Sequence, residues 1–206
     1  MSATGNGART GTTNFFVAGV GGQGALLASD IIAEAGMEAD LDVKKSEIHG
    51  MAQRAGSVFS HVRWGRNKVD APLFSDGEAD FLLSFEIVEA LRWQPVLKKG
   101  GIAIVNTQKI YPVAVAIGNQ SYPEDGVLEA EFAAGGQKLI SLNADDIARE
   151  LGNVRVANSV IVGVLSRFLD VSPSVWRDVL ARRVPARALD VNLEAFYRGR
   201  ELSADV

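Results

Sequence analysis

The sequence predicts an α/β fold, a Rossmann-like domain with a mainly parallel sheet, helices on both faces and a helical C-terminal region. Three observations support this prediction. Short apolar runs alternate with amphipathic segments, one apolar run leads directly into a glycine-rich turn, and the final third of the chain shows only helical periodicity. With 206 residues, one domain at 14–206 is expected, preceded by a disordered polar tail at 1–13.

The predicted strands are short apolar or alternating runs. Residues 14–18 precede the glycine turn, and Val58, Ser60, Val62 and Trp64 alternate with their neighbours as in a half-buried strand. Strands are predicted at 14–18, 41–45, 58–64, 79–85, 101–105, 113–117 and 138–142. The rest of 107–136 contains prolines, glycines and acidic residues, which predict irregular connections.

The predicted helices have apolar residues at helical spacing. In residues 25–39, the acidic residues Asp30, Glu34 and Glu38 lie opposite the apolar side. Further helices are predicted at 87–98, closed by the Lys-Lys-Gly sequence at 98–100, and at 145–151, 158–169, 173–182 and 185–199. The last three make up the helical C-terminal region.

Composition excludes several classes of function. The net charge of -4 offers no overall attraction to nucleic acid or to an anionic membrane. The chain has no cysteine, which excludes disulfides, thiolate-held iron–sulfur clusters and a cysteine nucleophile within it. The polar N-terminal tract lacks the apolar segment of a signal peptide, and no apolar run is long enough to span a membrane. We therefore expect a soluble, cytoplasmic protein.

The first candidate site is the glycine turn made by Gly19, Gly21, Gly22, Gln23 and Gly24. It follows a predicted strand and opens a predicted helix, where glycines allow a tight turn, close backbone approach to an anion and close helix–sheet packing at Gly24. These five residues are the candidate cofactor-binding residues. A bound nucleotide and a purely structural turn both remain open.

A dinucleotide also requires an acidic residue at the end of the second strand. The nearest candidate, Glu47, follows Lys44, Lys45 and Ser46. This offset weakens the prediction that NAD binds.

The second candidate site contains Ser46, Glu47, His49, Gln53 and Arg54, predicted to lie in a loop at the carboxyl end of the second strand. Such a concentration of an acid, an imidazole, an amide and a guanidinium between glycines suggests contact with a substrate or a partner. The alternative is structural, with Arg54 and Glu47 pairing to hold the loop and His49 capping a turn. No general base is assigned.

Other features favour ordinary structure. The two histidines, His49 and His61, lack a clear carboxylate partner, so no metal site is expected, and no Gly-x-Ser-x-Gly sequence marks a hydrolase. Six C-terminal arginines alternate with acids, which indicates a solvated helix face or, less directly, a surface for an anion or a partner protein. These arginines are Arg177, Arg182, Arg183, Arg187, Arg198 and Arg200.

Taken in order, several motifs resemble the pyruvate/ketoisovalerate ferredoxin oxidoreductase gamma family, particularly its indolepyruvate type. The motifs are the glycine turn at 19–24, the sequence 46–58 with 60–63, the sequence 78–86 with 89–91, Asn106-Thr107, and 158–163. The resemblance covers about residues 14–190. Ala52 and Ala55 depart from the serine and glycine frequent in the family, which bears on substrate preference.

This resemblance implies oxidative decarboxylation of a 2-oxoacid, an arylpyruvate such as indolepyruvate, with coenzyme A, giving acyl-CoA, carbon dioxide and electrons for ferredoxin. It further implies that thiamine diphosphate and iron–sulfur clusters reside on a large partner subunit, that this chain binds no cofactor alone, and that it is inactive without its partner. In such a hetero-oligomer, coenzyme A is a co-substrate and ferredoxin is reached through the complex.

Two other functions compete with this one. The first is a stand-alone Rossmann oxidoreductase that binds NAD(P) or a flavin at the glycine turn. The second is a non-catalytic Rossmann-like scaffold whose glycine turn is structural.

Overall fold

The computed structural model describes residues 11–49, 56–111, 115 and 121–202. Its centre is a six-stranded sheet with the order β2-β3-β1-β4-β5-β6. The strands are β1 (Thr12–Val20), β2 (Asp42–His49), β3 (Ser57–Gly65), β4 (Ala79–Ser84), β5 (Leu97–Asn106) and β6 (Lys138–Leu142). β1, β4, β5 and β6 pair in parallel, whereas β3 is antiparallel to both β1 and β2.

Helices cover both faces of the sheet in the described residues. They are α1 (Ala25–Glu38), α2 (Ile87–Trp93), α3 (Val127–Ala134), α4 (Ala144–Glu150), α5 (Ala157–Ser166), α6 (Pro173–Arg183) and α7 (Leu189–Leu202). Short 3-10 turns lie at Gln94–Val96, Val154–Val156 and Ala186–Ala188. None of the helices in these ranges combines the length and apolar character needed to cross a membrane.

The alternation of side chains along the central strands creates two cores. Phe15 and Leu83 point to the face covered by α1 and α4 to α7, while Phe16 and Leu82 point to the face covered by α2 and α3. All four side chains are buried. Strands that are buried on both sides need to be apolar throughout, which is why they were recognisable in the sequence. The predicted fold class is confirmed.

The largest helix contact in the first core is the crossing of α5 and α7. A β-carbon at Gly163 would lie 2.1 Å from the carbonyl oxygen of Phe196, and one at Gly199 would lie 2.0 Å from that of Val160. The two glycines therefore allow the helix backbones to touch. Ser159 also donates a 2.7 Å hydrogen bond to Asn192 across the same contact.

The order of the first strands differs from a simple βαβ opening. β2 does not pair with β1, because β3 lies between them. β2 also continues to His49 rather than ending at residue 45, since Ser46, Glu47 and His49 pair with His61, Ser60 and Val58 of β3, respectively. Hydrogen bonds to β3 thus extend the strand into a polar sequence, for which the local pattern alone predicted a loop.

The connection between α2 and β5 was also predicted wrongly. The helix expected at 87–98 ends at Trp93 and passes through the 3-10 turn at 94–96, so that Lys98, Lys99 and Gly100 lie in β5. Pro95 supplies the reason, because proline lacks the N–H that would continue the helical hydrogen bonding.

Other elements also differ from the predictions. Residues 127–134 form α3 where an irregular connection was expected, because Leu128 and Phe132 pack one helical turn apart into the second core. The strand predicted at 113–117 lies outside the described residues except for Val115, which is helical. α5 ends at Ser166 rather than residue 169, and the helix predicted at 185–199 begins with a 3-10 turn before α7.

The arginines at the end of α6 pack on the acidic side of α1. Arg183 pairs with Asp30 and Glu34, and Arg182 pairs with Glu38 at 2.7 Å. These ion pairs join α6 to α1. The sequence pattern had favoured solvated helix faces for the same charged residues.

Candidate functional site

The glycine turn lies at the carboxyl end of β1, where it leads into α1. Gly22 has a φ of 103° and Gly24 a φ of 82°, backbone conformations that favour glycine. A β-carbon at Gly24 would also lie 2.9 Å from the side-chain nitrogen of Asn158 in α5. The predicted reason for Gly24, close helix–sheet packing, is therefore incorrect, since its neighbour is a side chain of another helix.

Gln23 fastens the turn to the adjacent strands. Its Oε1 accepts a 2.7 Å hydrogen bond from the backbone N–H of Val20. Its Nε2 donates to the carbonyl oxygen of Phe85 and to Oε1 of Gln108, each at 2.7 Å. Both polar atoms of the amide are thus engaged within the protein, so Gln23 shapes the turn.

The backbone N–H groups of the turn divide into two sets. That of Gly21 donates to Gly56 at 3.0 Å, and that of Gln23 donates to Val20 at 3.2 Å. Within the described residues, those of Gly24, Ala25 and Leu26 donate to no other group. They lie at the positive end of the α1 dipole, an arrangement that suits a phosphate or a carboxylate.

The Phe85-Glu86 pair lies beside the turn, at the end of β4. Phe85 donates its N–H to Ala18 of β1 at 3.0 Å, and its carbonyl oxygen receives the amide of Gln23. The carboxylate of Glu86 caps α2 by accepting from the N–H groups of Val88 and Glu89 at 2.6 and 3.1 Å.

Two buried asparagines hold the other elements around the turn. Asn106, at the end of β5, donates to Asp145 at 2.6 Å and accepts from the N–H of Ala144 at 2.9 Å. Asn158, at the start of α5, accepts from the N–H of Ser159 at 2.9 Å and packs its amide against Gly24. Asn158 thus contacts the turn directly, whereas Asn106 reaches it through the carbonyl oxygen of Phe85, 3.4 Å from its side-chain nitrogen.

Glu89 of α2 anchors the start of β3. It is 4% exposed and accepts hydrogen bonds from the hydroxyl of Ser57 and from Nε1 of Trp93, the latter at 3.3 Å. Together with the contact of Gly21 with Gly56, this bond places the residues that follow position 55 next to the glycine turn.

The residues of the second predicted site are only partly described. The backbone of His49 pairs with Val58, which in turn pairs with Gly19, so these three residues form one row across the sheet. At the usual strand spacing, His49 lies about 10 Å from Gly19. Ser46 and Glu47 lie further along β2, and Glu47 forms an ion pair with Lys45. Gln53 and Arg54 lie outside the described residues.

His61 does not belong to the turn. Its ring is surrounded by those of Phe16, Phe59 and Phe74, at 4.4 to 6.2 Å between centroids. Burial and, to a smaller extent, the charge of Arg63 hold the pKa of its imidazole below the ordinary value. In the described ranges, no three His, Asp or Glu side chains gather in a way that could hold a metal ion.

The sequence profile of the pyruvate ferredoxin/flavodoxin oxidoreductase family matches residues 14–202. This chain belongs to that oxidoreductase family. Its relative in Thermococcus kodakarensis, indolepyruvate oxidoreductase subunit IorB, is 38% identical over 192 residues, which cover 90% of this chain and 93% of that protein. The resemblance that the sequence motifs indicated is confirmed.

Solved structures from the same class of oxidoreductase share the fold. The gamma subunit of a keto/oxoacid ferredoxin oxidoreductase from Geobacter sulfurreducens matches with a TM-score of 0.68 and 24% identity, over 94% of this chain and 99% of that chain. The 2-oxoglutarate:ferredoxin oxidoreductase of Magnetococcus marinus, solved with 2-oxoglutarate, coenzyme A and succinyl-CoA bound, matches with a TM-score of 0.74 and 22% identity. That match covers 95% of this chain and 32% of the longer Magnetococcus chain.

For this member of the pyruvate ferredoxin/flavodoxin oxidoreductase family, the sequence motifs pointed to some of the residues near the turn. Glu86, Asn106 and Asn158 lie in the segments that carried the family resemblance, but no role was predicted for them. Gln108 and Tyr122, which follow β5, had no such signal and were missed. Glu86 closely follows β4 and Asn106 is the last residue of β5, and the carboxyl ends of such parallel strands are where an open α/β sheet places its site.

Raising the pH above about 10 is expected to destabilise the folded protein, because Tyr122 keeps its proton in the folded state. Burial and then the hydrogen bond to Glu86 raise the pKa of this phenol above 10.0. Above that pH the unfolded chain releases the proton and the folded chain retains it, so the unfolded state binds fewer protons and the unfolding free energy falls. In urea unfolding at successive pH values, the unfolding free energy of Tyr122→Phe should therefore fall less steeply with pH than that of the unaltered protein. Parallel curves for the two proteins would contradict this assignment.

Proposed function

We propose that this chain is the small subunit of an indolepyruvate-type 2-oxoacid:ferredoxin oxidoreductase. The observation that carries the proposal is the 38% identity to an indolepyruvate oxidoreductase subunit over nearly the whole of both chains. With a large partner subunit, the complex would oxidatively decarboxylate an arylpyruvate in the presence of coenzyme A. The products would be acyl-CoA and carbon dioxide, with the electrons passed to ferredoxin.

The residues of the chain support a division of labour between subunits. Since it contains no cysteine, a thiolate-held iron–sulfur cluster must lie on another chain. Thiamine diphosphate, bound by the large subunit, would supply the carbanion chemistry. The small subunit would then contribute binding and orientation at its glycine turn.

We further propose that the turn at 19–24 receives a phosphate of coenzyme A. The N–H groups of Gly24, Ala25 and Leu26 and the dipole of α1 supply a positive end for an anion. Gln23 supports this site indirectly, because its amide is occupied in holding the turn. Coenzyme A is one of the ligands bound in the Magnetococcus oxidoreductase, about a third of whose chain shares this fold.

The strand order supports this proposal over a stand-alone NAD enzyme. In a dinucleotide-binding fold, the second strand lies next to the first and places its acidic residue at the ribose. Here β3 occupies that position, and Glu47 on β2 is one strand further away and paired with Lys45. We therefore expect NAD(H) to bind weakly or not at all to this chain, which calorimetry would measure.

The isolated chain is expected to give no ferredoxin reduction with indolepyruvate, phenylpyruvate or pyruvate. Co-purified with its large partner, it should support coenzyme A-dependent reduction of ferredoxin, because the clusters and thiamine are then present. The measurement is the absorbance change of ferredoxin, with the large subunit alone as control. Turnover by the isolated small subunit would contradict the division of labour.

We retain Ser46, Glu47, His49, Gln53 and Arg54 as residues that face the substrate or the partner. In the complex, Arg54→Ala and His49→Ala should each lower kcat/KM about ten-fold or more, because a charged or polar contact is lost without opening a core cavity. Arg66→Ala is a matched control, since Arg66 is exposed and follows the end of β3 that lies away from the turn. Normal specific activity with a lowered melting temperature would show that these residues are structural.

A further inference from the structure

Glu86 has a second role that its cap of α2 does not require. Its carboxylate is 1% exposed, and one oxygen, Oε2, makes both bonds to the N-terminus of α2. The other oxygen, Oε1, accepts from the N–H of Ile110 at 3.3 Å and from the hydroxyl of Tyr122. An exposed serine or aspartate would suffice to cap a helix. The second oxygen instead joins α2 to the residues on either side of positions 112–120.

The residues held by Oε1 are linked to the glycine turn through Gln108. Gln108, two positions before Ile110, accepts a hydrogen bond from Gln23 of the turn. Lys109 lies 5.8 Å above the ring of Tyr122 and pairs with Asp125 at 3.0 Å. Residues 108–110 and Tyr122 therefore form one connected group that contacts the turn through Gln108, and we call these residues the Tyr122 wall.

The connection between Glu86 and the turn is short. Glu86 directly follows Phe85, whose carbonyl oxygen accepts from the same Gln23 amide that contacts Gln108. A displacement of the Tyr122 wall would therefore disturb the bonds that hold Gln23, and through Gln23 the conformation of the turn. The carboxylate of Glu86 accepts hydrogen bonds from three backbone N–H groups and one hydroxyl. Within the described residues, it forms no ion pair with a cation.

We propose that Glu86 and Tyr122 are positioning residues that hold the Tyr122 wall against the glycine turn and so determine the affinity of the complex for coenzyme A. The inference rests on the proposed binding of a coenzyme A phosphate at the turn. Neither residue touches the reacting atoms. Loss of their contact should weaken coenzyme A binding while the chemistry on the partner subunit continues at saturating coenzyme A.

The test compares two variants that each remove one phenolic hydroxyl in the complete two-subunit complex. Tyr122→Phe removes the bond to Glu86 and keeps the ring beneath Lys109. Tyr197→Phe is the matched control, because Tyr197 is exposed on α7 and its hydroxyl makes no hydrogen bond in the described part of the chain. Steady-state kinetics give the KM for coenzyme A, the KM for indolepyruvate and kcat, and calorimetry with coenzyme A gives affinity without turnover.

For Tyr122→Phe, we expect the KM and Kd for coenzyme A to rise about five- to ten-fold. The KM for indolepyruvate and the kcat at saturating coenzyme A should stay close to those of the unaltered complex. Glu86→Gln should weaken coenzyme A binding in the same direction. The double variant should be little worse than the more impaired single variant, because both changes remove one contact.

Three results would overturn the inference, and they differ from failure of the proposed function. The first is a coenzyme A affinity in Tyr122→Phe equal to that in Tyr197→Phe. The second is an equal rise in KM for both substrates with a lowered melting temperature, which would indicate a purely structural contact. The third is additivity in the double variant. An unaltered complex that turns over without coenzyme A would instead refute the proposed function, and the inference with it.

Discussion

Replacing Gly163 or Gly199 by alanine is expected to lower the free energy of unfolding by about 3 kcal/mol or more. In an exposed helix, the same change would stabilise the protein by up to about 1 kcal/mol, because alanine is the better helix former. Here the new methyl groups would lie 2.1 and 2.0 Å from backbone carbonyl oxygens of the opposite helix. Neither contact can be relieved by rotating a side chain, so α5 and α7 would have to separate.

The crossing has little freedom to separate. The hydrogen bond between Ser159 and Asn192 and that between Arg200 and Ser166, each 2.7 Å long, flank the two glycines. Phe196 is fully buried between the crossing and Trp176. Any shift of α7 therefore disturbs polar and apolar contacts together.

Denaturant unfolding followed by circular dichroism would measure this effect. Gly11→Ala is the control, because a β-carbon there would meet nothing within 4 Å and its φ is not positive. The double variant Gly163→Ala with Gly199→Ala should cost less than the sum of the single changes, since one displacement relieves both contacts. Unfolding midpoints equal to that of the unaltered chain would show that the crossing is looser than described.

Gly24→Val is expected to destabilise the chain by about 3 kcal/mol or more, and Gly24→Ala by about 2 kcal/mol. Two effects add at this position. The φ of 82° is unfavourable for any side chain and most unfavourable for a β-branched one, and the β-carbon would lie 2.9 Å from the amide nitrogen of Asn158. Valine adds methyl groups to the same crowded position.

Two further variants would separate the strain from the contact. Gly22 has a φ of 103°, and a β-carbon there would meet nothing within 4 Å. Gly22→Ala should therefore show the cost of the backbone conformation alone, about 1 kcal/mol. Shortening the neighbour by Asn158→Ala in the Gly24→Ala background should recover part of the lost stability. Equal effects of Gly22→Ala and Gly24→Ala on the melting temperature would mean that the Asn158 contact is unimportant.

The elements whose patterns are local were predicted well. β6 was predicted at its observed bounds, and α1 to within one residue, because a short buried strand and an amphipathic helix each leave a complete pattern in adjacent residues. The turn at 19–24 was also predicted, since the glycines needed at positive φ are visible in the sequence. The family resemblance likewise came from short motifs of adjacent residues, and the family match confirmed it.

The candidate site was predicted only in part, because its members are distant in sequence. Gln23 contacts residues 62 and 85 positions away, and Glu86 contacts Tyr122 across 36 positions. Nothing in the local pattern around Tyr122 indicates that its hydroxyl meets a buried carboxylate. The position of Ser46 and Glu47 in a strand was likewise invisible, because their ladder partners belong to β3.

By itself, the sequence determined the α/β class, the glycine turn, the absence of thiolate chemistry and the family. Each of these depends on residue type or on spacing within a single turn or strand. Only the tertiary structure decided that β3 separates β1 from β2, that α5 and α7 touch at their glycines, and that Glu86 and Tyr122 meet beside the turn. These features depend on which strands and helices pair over long separations, and pairing is set by packing and hydrogen bonding of the whole chain rather than by any local preference.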